Sequence, residues 1–307
     1  MGLILICLAA MLWGTTGTVS VLIAQQATVS PLLIGYWRLV FALPIFWLWY
    51  GYNKRHNGPG FVHKRPWPSN AQRLPLIAMG LCMAGYQVFY FAAVPYVGVA
   101  MTAMVAICSS PLIIALLAVA FLGETLTRRL RMALVLGITG TILLIAQPDA
   151  LTVNGGRFLL GVTLALGAAF SYGGYAILAK AMVGQMDGIA IATYSFTVAA
   201  LALTPTLVLQ PSLDVWFRAL PFLLYLGLIT SSLGYGLYML GIRHTAATTA
   251  GIAVLIEPLT ATLLGLFAFK EPMGWSSLFG ALLLLLGILY AQTASAQTAN
   301  QPHLSKK

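Results

Sequence analysis

The chain has 307 residues, of which 60% are hydrophobic and only 7% charged. A soluble domain carries about a quarter charged residues, so a soluble globular fold is excluded, and the long Leu, Ile, Val and Phe runs exclude disorder. What remains is an integral membrane protein of many spans, in which a formal net charge of +10 reports where the loops lie.

A hydrocarbon core of roughly 30 Å takes about 20 apolar residues per helix, and on that measure ten spans are expected, near 2–24, 32–51, 74–94, 99–121, 130–147, 158–180, 188–209, 219–240, 247–268 and 274–292. The runs are long and apolar all round, unlike the short alternating segments of a barrel strand. The first span has no basic n-region, and Ala24-Gln25-Gln26-Ala27 is not a signal-peptidase site, so it is read as a retained helix.

Span 2 holds Arg38 about seven residues deep, where a charge costs about 2.5–3.5 kcal/mol. It is either an anion-binding or gating group facing a cavity, or a side chain that snorkels or bonds helix-end carbonyls. Trp37, Trp47 and Trp49 of the same span fit an interfacial belt. Span 3 places Tyr86, Gln87 and Tyr90 on one face. Tyr172 and Tyr175 in span 6 and Tyr235 and Tyr238 in span 8 form similar pairs, which either line a wet cavity or pack between helices.

Span 4 carries Ser109-Ser110-Pro111 and span 9 carries Glu257-Pro258. Each proline lacks an N–H, so the carbonyls of Ile107 and Val254 lose their helical partners; such carbonyls mark either a binding site or a mechanical kink. Glu257 is the one acid near the midplane. It can exchange a proton, pair with a substrate ammonium, pair with Arg38, or serve as a structural carboxyl.

In span 5 Ala133 and Gly140, and in span 10 Gly280 and Gly287, give small faces that pack either on each other or in a homodimer. Glu124 and Glu271 follow spans 4 and 9, where an acid can cap a helix N-terminus. Cys7, Cys82 and Cys108 all fall within spans and read as small core residues. After span 10 the polar stretch 293–307 reads as a disordered tail.

Charge placement orients the map. With an internal N-terminus, twelve basic residues fall inside and only Arg157, Arg218 and Lys270 outside, so both termini are expected in the cytoplasm. Basic residues confined to short loops offer no nucleic-acid surface.

An offset of 147 lays Ala103, Ala106, Pro111, Leu112, Glu124 and Gly140 on Ala250, Ala253, Pro258, Leu259, Glu271 and Gly287, while an offset of 158 lays Trp13 on Ser171. The chain therefore reads as an all-α membrane protein of two five-helix repeats, 1–148 and 157–292. An odd number of spans inverts the second repeat, an arrangement typical of transporters that open alternately to each side.

Leu-Trp-Gly-Thr in span 1, Tyr-Trp-Arg-Leu in span 2, and Gly-Glu-Thr-Leu and Lys-Glu-Pro after spans 4 and 9, set on a five-plus-five plan, resemble the EamA family of the drug/metabolite transporter superfamily. The resemblance runs over residues 2–292 and departs at Ser171-Tyr172, where a Trp is common. It implies a bacterial inner-membrane permease, commonly an exporter of amino acids or other small metabolites. The expected partners are the lipid bilayer, a small-molecule substrate and protons as coupling ion. No cofactor or metal is expected, because the four His lie outside the spans without a metal-binding spacing and no Walker loop occurs. A channel-like facilitator is the alternative; an intramembrane enzyme fits poorly, since Glu257 has no second deep acid beside it.

Overall fold

The computed structural model describes residues 1–56, 68–145, 155–209, 212–269 and 275–299, and every regular element among them is helical. The helices are α1 (Gly2–Gln26), α2 (Pro31–His56), α3 (Asn70–Leu122), α4 (Arg128–Ile145), α5 (Gly155–Met182), α6 (Gly188–Leu203), α7 (Leu213–Tyr225), α8 (Gly234–Ile242), α9 (Ala247–Val254), α10 (Ile256–Phe269) and α11 (Trp275–Ala299). Eight stretches of the described residues are long and apolar enough to cross a membrane. Large apolar side chains such as Leu48, Phe121, Leu201 and Phe279 lie on the outside, as lipid contact requires and water would not tolerate.

Predicted spans 3 and 4 both fall in α3, whose backbone is helical throughout its 53 residues. A straight helix of that length would measure about 80 Å at 1.5 Å per residue. Yet a methyl group added at Gly174 would meet Cys82 Sγ at 3.1 Å, and one at Gly173 would meet Ile113 at 2.9 Å. Neighbouring positions on α5 thus touch residues from both halves of α3, so the helix doubles back on itself. Gly123 stops α3: at φ +67° it takes the left-handed conformation, and Glu124 N–H donates to Ala118 O at 3.1 Å, which closes a glycine-terminated C-cap.

Predicted spans 7, 8 and 9 are interrupted. Pro205 restricts the residue before it, and α6 gives way to a 3₁₀ turn at Thr204–Leu209. Between α7 and α8 the backbone widens into a π-helix, Leu226–Leu233, where Ser232 Oγ donates five residues back to Gly227 O at 2.9 Å. The two equivalent prolines sit in different backbone settings. At Pro258 the helix breaks, α9 ending at Val254 and α10 beginning at Ile256. At Pro111, α3 continues unbroken. There Ser110 Oγ donates to Ala106 O at 2.7 Å and holds the turn, whereas the equivalent residue on the other side, Glu257, is no hydroxyl donor of that kind.

α4 and α11 pack on each other through their small residues. A Cβ at Gly140 would lie 2.5 Å from Leu284 N and 2.7 Å from Gly280 O, and one at Gly287 would lie 3.0 Å from Ala133 O. Of the two uses expected for these faces, the structure shows the one within the chain. α11 runs on to Ala299, so the stretch from 293 that reads as a disordered tail is helical as far as that residue; 300–307 lie outside the described residues.

Glu124 caps a helix, but not the α4 that follows it. Its carboxylate reaches across to the start of α9, accepting from Ala247 N–H at 2.6 Å, Thr248 N–H at 3.1 Å and Thr248 Oγ at 2.8 Å. At the same end of the molecule a Cβ at Gly2 would meet Thr245 Oγ1 at 2.7 Å. Glu271, the other acid expected to cap, lies outside the described residues.

Candidate functional site

Seven α-helices and the π-helix converge on a polar centre. α1 contributes Trp13, a buried residue whose indole N–H donates to Thr230 O at 3.0 Å. Its ring lies 4.6 Å from Tyr235 and 5.5 Å from Tyr238. Tyr235 continues the stack onto Phe196 at 4.8 Å and Tyr175 at 5.9 Å. On the facing wall, Tyr86 lies 5.8 Å from Tyr90 and 6.0 Å from Tyr172. Tilted and edge-on pairs at these separations add rigidity beyond the area they bury.

The two deep charges belong to the same centre. Arg38, on α2, donates from Nε to Ser231 Oγ in the π-helix at 3.2 Å. Glu257, in the first turn of α10, interacts electrostatically with Arg38 and with Tyr86, Tyr90, Tyr172 and Tyr235. No ion pair joins Arg38 to Glu257; among the described residues the pair within reach is Asp214–Arg218, near the surface at 2.5 Å. Arg38, Tyr86, Tyr90 and Glu257 stay partly accessible, while Tyr172, Tyr175, Tyr235 and Tyr238 are buried. The first set therefore keeps accessible surface beside the second, which packs behind it.

Two hydroxyls in the second set have no partner. Tyr172 OH faces Tyr238 and Tyr175 OH faces Ser195, each short of hydrogen-bond geometry. A buried hydroxyl without a partner costs about 1–3 kcal/mol, which a water or a polar ligand group would relieve.

Of the residues singled out from sequence, Arg38, Tyr86, Tyr90, Tyr172, Tyr175, Tyr235, Tyr238 and Glu257 are thus brought together. Gln87 is buried against α2, where a Cβ on Gly35 would meet its side chain at 3.2 Å. Ser110 spends its hydroxyl on its own helix, and no described interaction joins Ser109 or Ser110 to the centre. Trp37 stacks on Phe41 at 5.2 Å and meets Trp216 edge-on at 5.7 Å. Sequence reasoning missed Trp13 as a wall of the site, and it missed Thr230 and Ser231. The signal was present in Thr-Ser-Ser, a run of three hydroxyl residues within an otherwise apolar span, since such side chains compete for helix carbonyls.

Comparison with known proteins adds four findings. The family model described as the EamA-like transporter family matches residues 1–146 and 159–292. An uncharacterized transporter of Bacillus subtilis (strain 168), YwfM, is 34% identical over 98% of this chain and 97% of its own length. An uncharacterized transporter of Archaeoglobus fulgidus is 27% identical over 66% of this chain and 70% of its own. A solved structure described only as the crystal structure of a protein superposes with a TM-score of 0.77 at 19% identity, covering 97% of this chain and 98% of that one, a likeness of fold alone.

Proposed function

The chain belongs to the EamA-like transporter family, and on that footing we propose that it is a secondary transporter that moves a small metabolite, such as an amino acid, by alternating access between two inverted five-helix repeats. The carrying observation is a set of close contacts that come in related pairs. The offset of 147 turns the Ala133–Gly287 contact into Gly280–Gly140, its own counterpart between α4 and α11. It also relates Gly80 to Gly227. A Cβ at Gly80 would lie 2.5 Å from Val198, while one at Gly227 would collide with Phe41, within one residue of the position that the offset of 158 predicts. Gly161 packs on Val97 as Gly2 packs on His244, and these two contacts lie at opposite ends of the molecule. Matched contacts with opposite orientation support a duplicated, inverted framework, and so does a family model that matches each half.

On this reading all ten predicted spans cross the bilayer, α4 and α11 supplying the fifth and tenth, with both termini in the cytoplasm of a bacterial cell. Substrate lies between Arg38 and Glu257 against the tyrosine wall, carboxylate toward the guanidinium and ammonium toward the carboxylate. Transport runs as export, and protons exchanged at Glu257 couple it to the gradient. Reconstitution tests this: counterflow and uptake of a labelled amino-acid panel in proteoliposomes, with and without a proton gradient. Saturable flux with counterflow is expected. Flux that neither saturates nor shows counterflow would make the chain a facilitator.

A further inference from the structure

One connection in the fold is held by charged groups from both sides. The turn between α8 and α9 leaves the C-terminus of one helix and enters the N-terminus of the next, so its two ends carry opposite partial charges. Lys180, near the end of α5, donates from Nζ to Ile242 O at 2.9 Å and Arg243 O at 3.4 Å, where α8 ends. Glu124, aimed by the left-handed Gly123, accepts the two N–H groups and the Thr248 hydroxyl where α9 begins. Lys180 and Glu124 also attract each other. Each charge meets the helix end of opposite sign, and each is brought there from a different, distant part of the chain.

The gripped turn is the direct connection between two walls of the site. α8 carries Tyr235 and Tyr238 and continues the π-helix that holds Ser231 against Arg38. α9 is only eight residues long and ends at the break next to Glu257. A short rigid rod between a clamped end and a broken end can pivot only if the clamp lets go. The backbones around it leave no slack, since Gly2 and Gly241 approach each other too closely to admit a Cβ on either.

We propose that Glu124 and Lys180 form a polar latch that keeps the N-terminal face of the transport path shut, and that its release lets α8 and α9 swing away to expose the Arg38–Glu257 centre on that side. The proposal rests on the reading of the chain as an alternating-access transporter and adds its gate. Both are positioning residues: neither touches substrate, and each acts by fixing a helix end.

Labelling of a single reporter cysteine tests it. In a background where Cys7, Cys82 and Cys108 are Ala, Tyr86→Cys places the reporter at the site, and a membrane-impermeant maleimide is applied to right-side-out and inside-out vesicles. Loss of a charge-assisted capping contact shifts the open-to-closed ratio by about tenfold. Glu124→Gln and Lys180→Met should therefore each raise labelling from the N-terminal side by about that factor and lower it from the other. An unchanged ratio of the two sides in folded variants overturns the latch, and so does equal loosening toward both. Should either variant fail to fold, Thr248→Val removes a single bond of the cap and should give a smaller shift in the same direction; no shift there also overturns it. Labelling requires no transported substrate. A shifted ratio without counterflow would therefore refute the transporter reading and retain the latch, whereas counterflow without a shift would refute the latch alone.

Discussion

Two glycine-to-alanine substitutions test how the framework is held together, because the same chemical change should act in opposite directions at two sites. At Gly17, in α1, nothing lies within 4 Å of an added Cβ, so Gly17→Ala should gain up to about 1 kcal/mol of helix propensity. At Gly140 the added atom would sit 2.5 Å from Leu284 N and 2.7 Å from Gly280 O. Both are backbone atoms that no rotamer change can move, and α4 and α11 would have to separate by about 1 Å to restore ordinary contact distances. Overpacking of this kind costs about 1–3 kcal/mol. The propensity gain is common to both variants, so the difference between them isolates the contact, at about 1–3 kcal/mol. For a chain of this size that corresponds to roughly 2–5 °C in Tm. The assay is thermal unfolding of both purified variants in the same detergent. Gly287→Ala should behave like Gly140→Ala, and the double variant should cost less than the sum, since helices already parted by one methyl group accommodate the second. If Gly140→Ala melts at or above Gly17→Ala, the close α4–α11 packing does not exist and the pairing of contacts across the two halves loses its central member.

Glu257→Gln should abolish gradient-driven flux in proteoliposomes at every pH tested while the protein elutes as the folded species; undiminished flux would remove Glu257 from the coupling mechanism. Ser231→Ala leaves Arg38 without its hydroxyl partner and should raise KM for a carboxylate substrate about tenfold with little change in maximal flux, whereas Ser231→Thr should restore it. Trp13→Phe keeps an aromatic ring against Tyr235 but deletes the bond to Thr230 O, and should lower stability by about 1 kcal/mol, read as a fall in Tm. Pro258→Ala returns a backbone donor to Val254 O, so α9 and α10 should join; the expected outcome is a raised Tm with slowed transport, and faster transport would argue against the break as a hinge.

The scaffold was legible because lipid imposes a single rule: every backbone polar group is satisfied inside its own helix. Apolar length therefore translated into helices, and charge placement into loops. The pairing of small residues at Ala133, Gly140, Gly280 and Gly287 could be read as a face, but whether that face served the chain or a second copy depends on tertiary packing. The reversal within α3 was anticipated as two spans, yet its backbone stays helical through the turn, which no composition signal announces. The π-helix at Leu226–Leu233 was not legible, since it differs from an α-helix by one residue per turn and leaves the apolar pattern of the span intact. Glu124 shows the limit most plainly. Its capping chemistry followed from type and position, but its partner, the start of α9, is more than a hundred residues away.

The polar groups do not obey the symmetry of the contacts that support them. At the offset of 147, Glu257 falls on Ser110, and at 158, Arg38 falls on Phe196. Each deep charge therefore has an uncharged counterpart, so on the proposed reading the two halves supply one site between them rather than one each. The backbone follows the same division. The half with the carboxylate is broken beside it, and the half with the hydroxyl is continuous because Ser110 bonds Ala106 O. Restoring symmetry is then an instructive perturbation. Glu257→Ser should bring back a hydroxyl able to donate to Ala253 O, one turn earlier, and so steady the turn that now separates α9 from α10, while removing the only deep acid. Stability should rise, as a higher Tm, and gradient-driven flux should be lost. A variant that lost flux but also melted lower would show that the break is set by Pro258 alone, whatever residue precedes it.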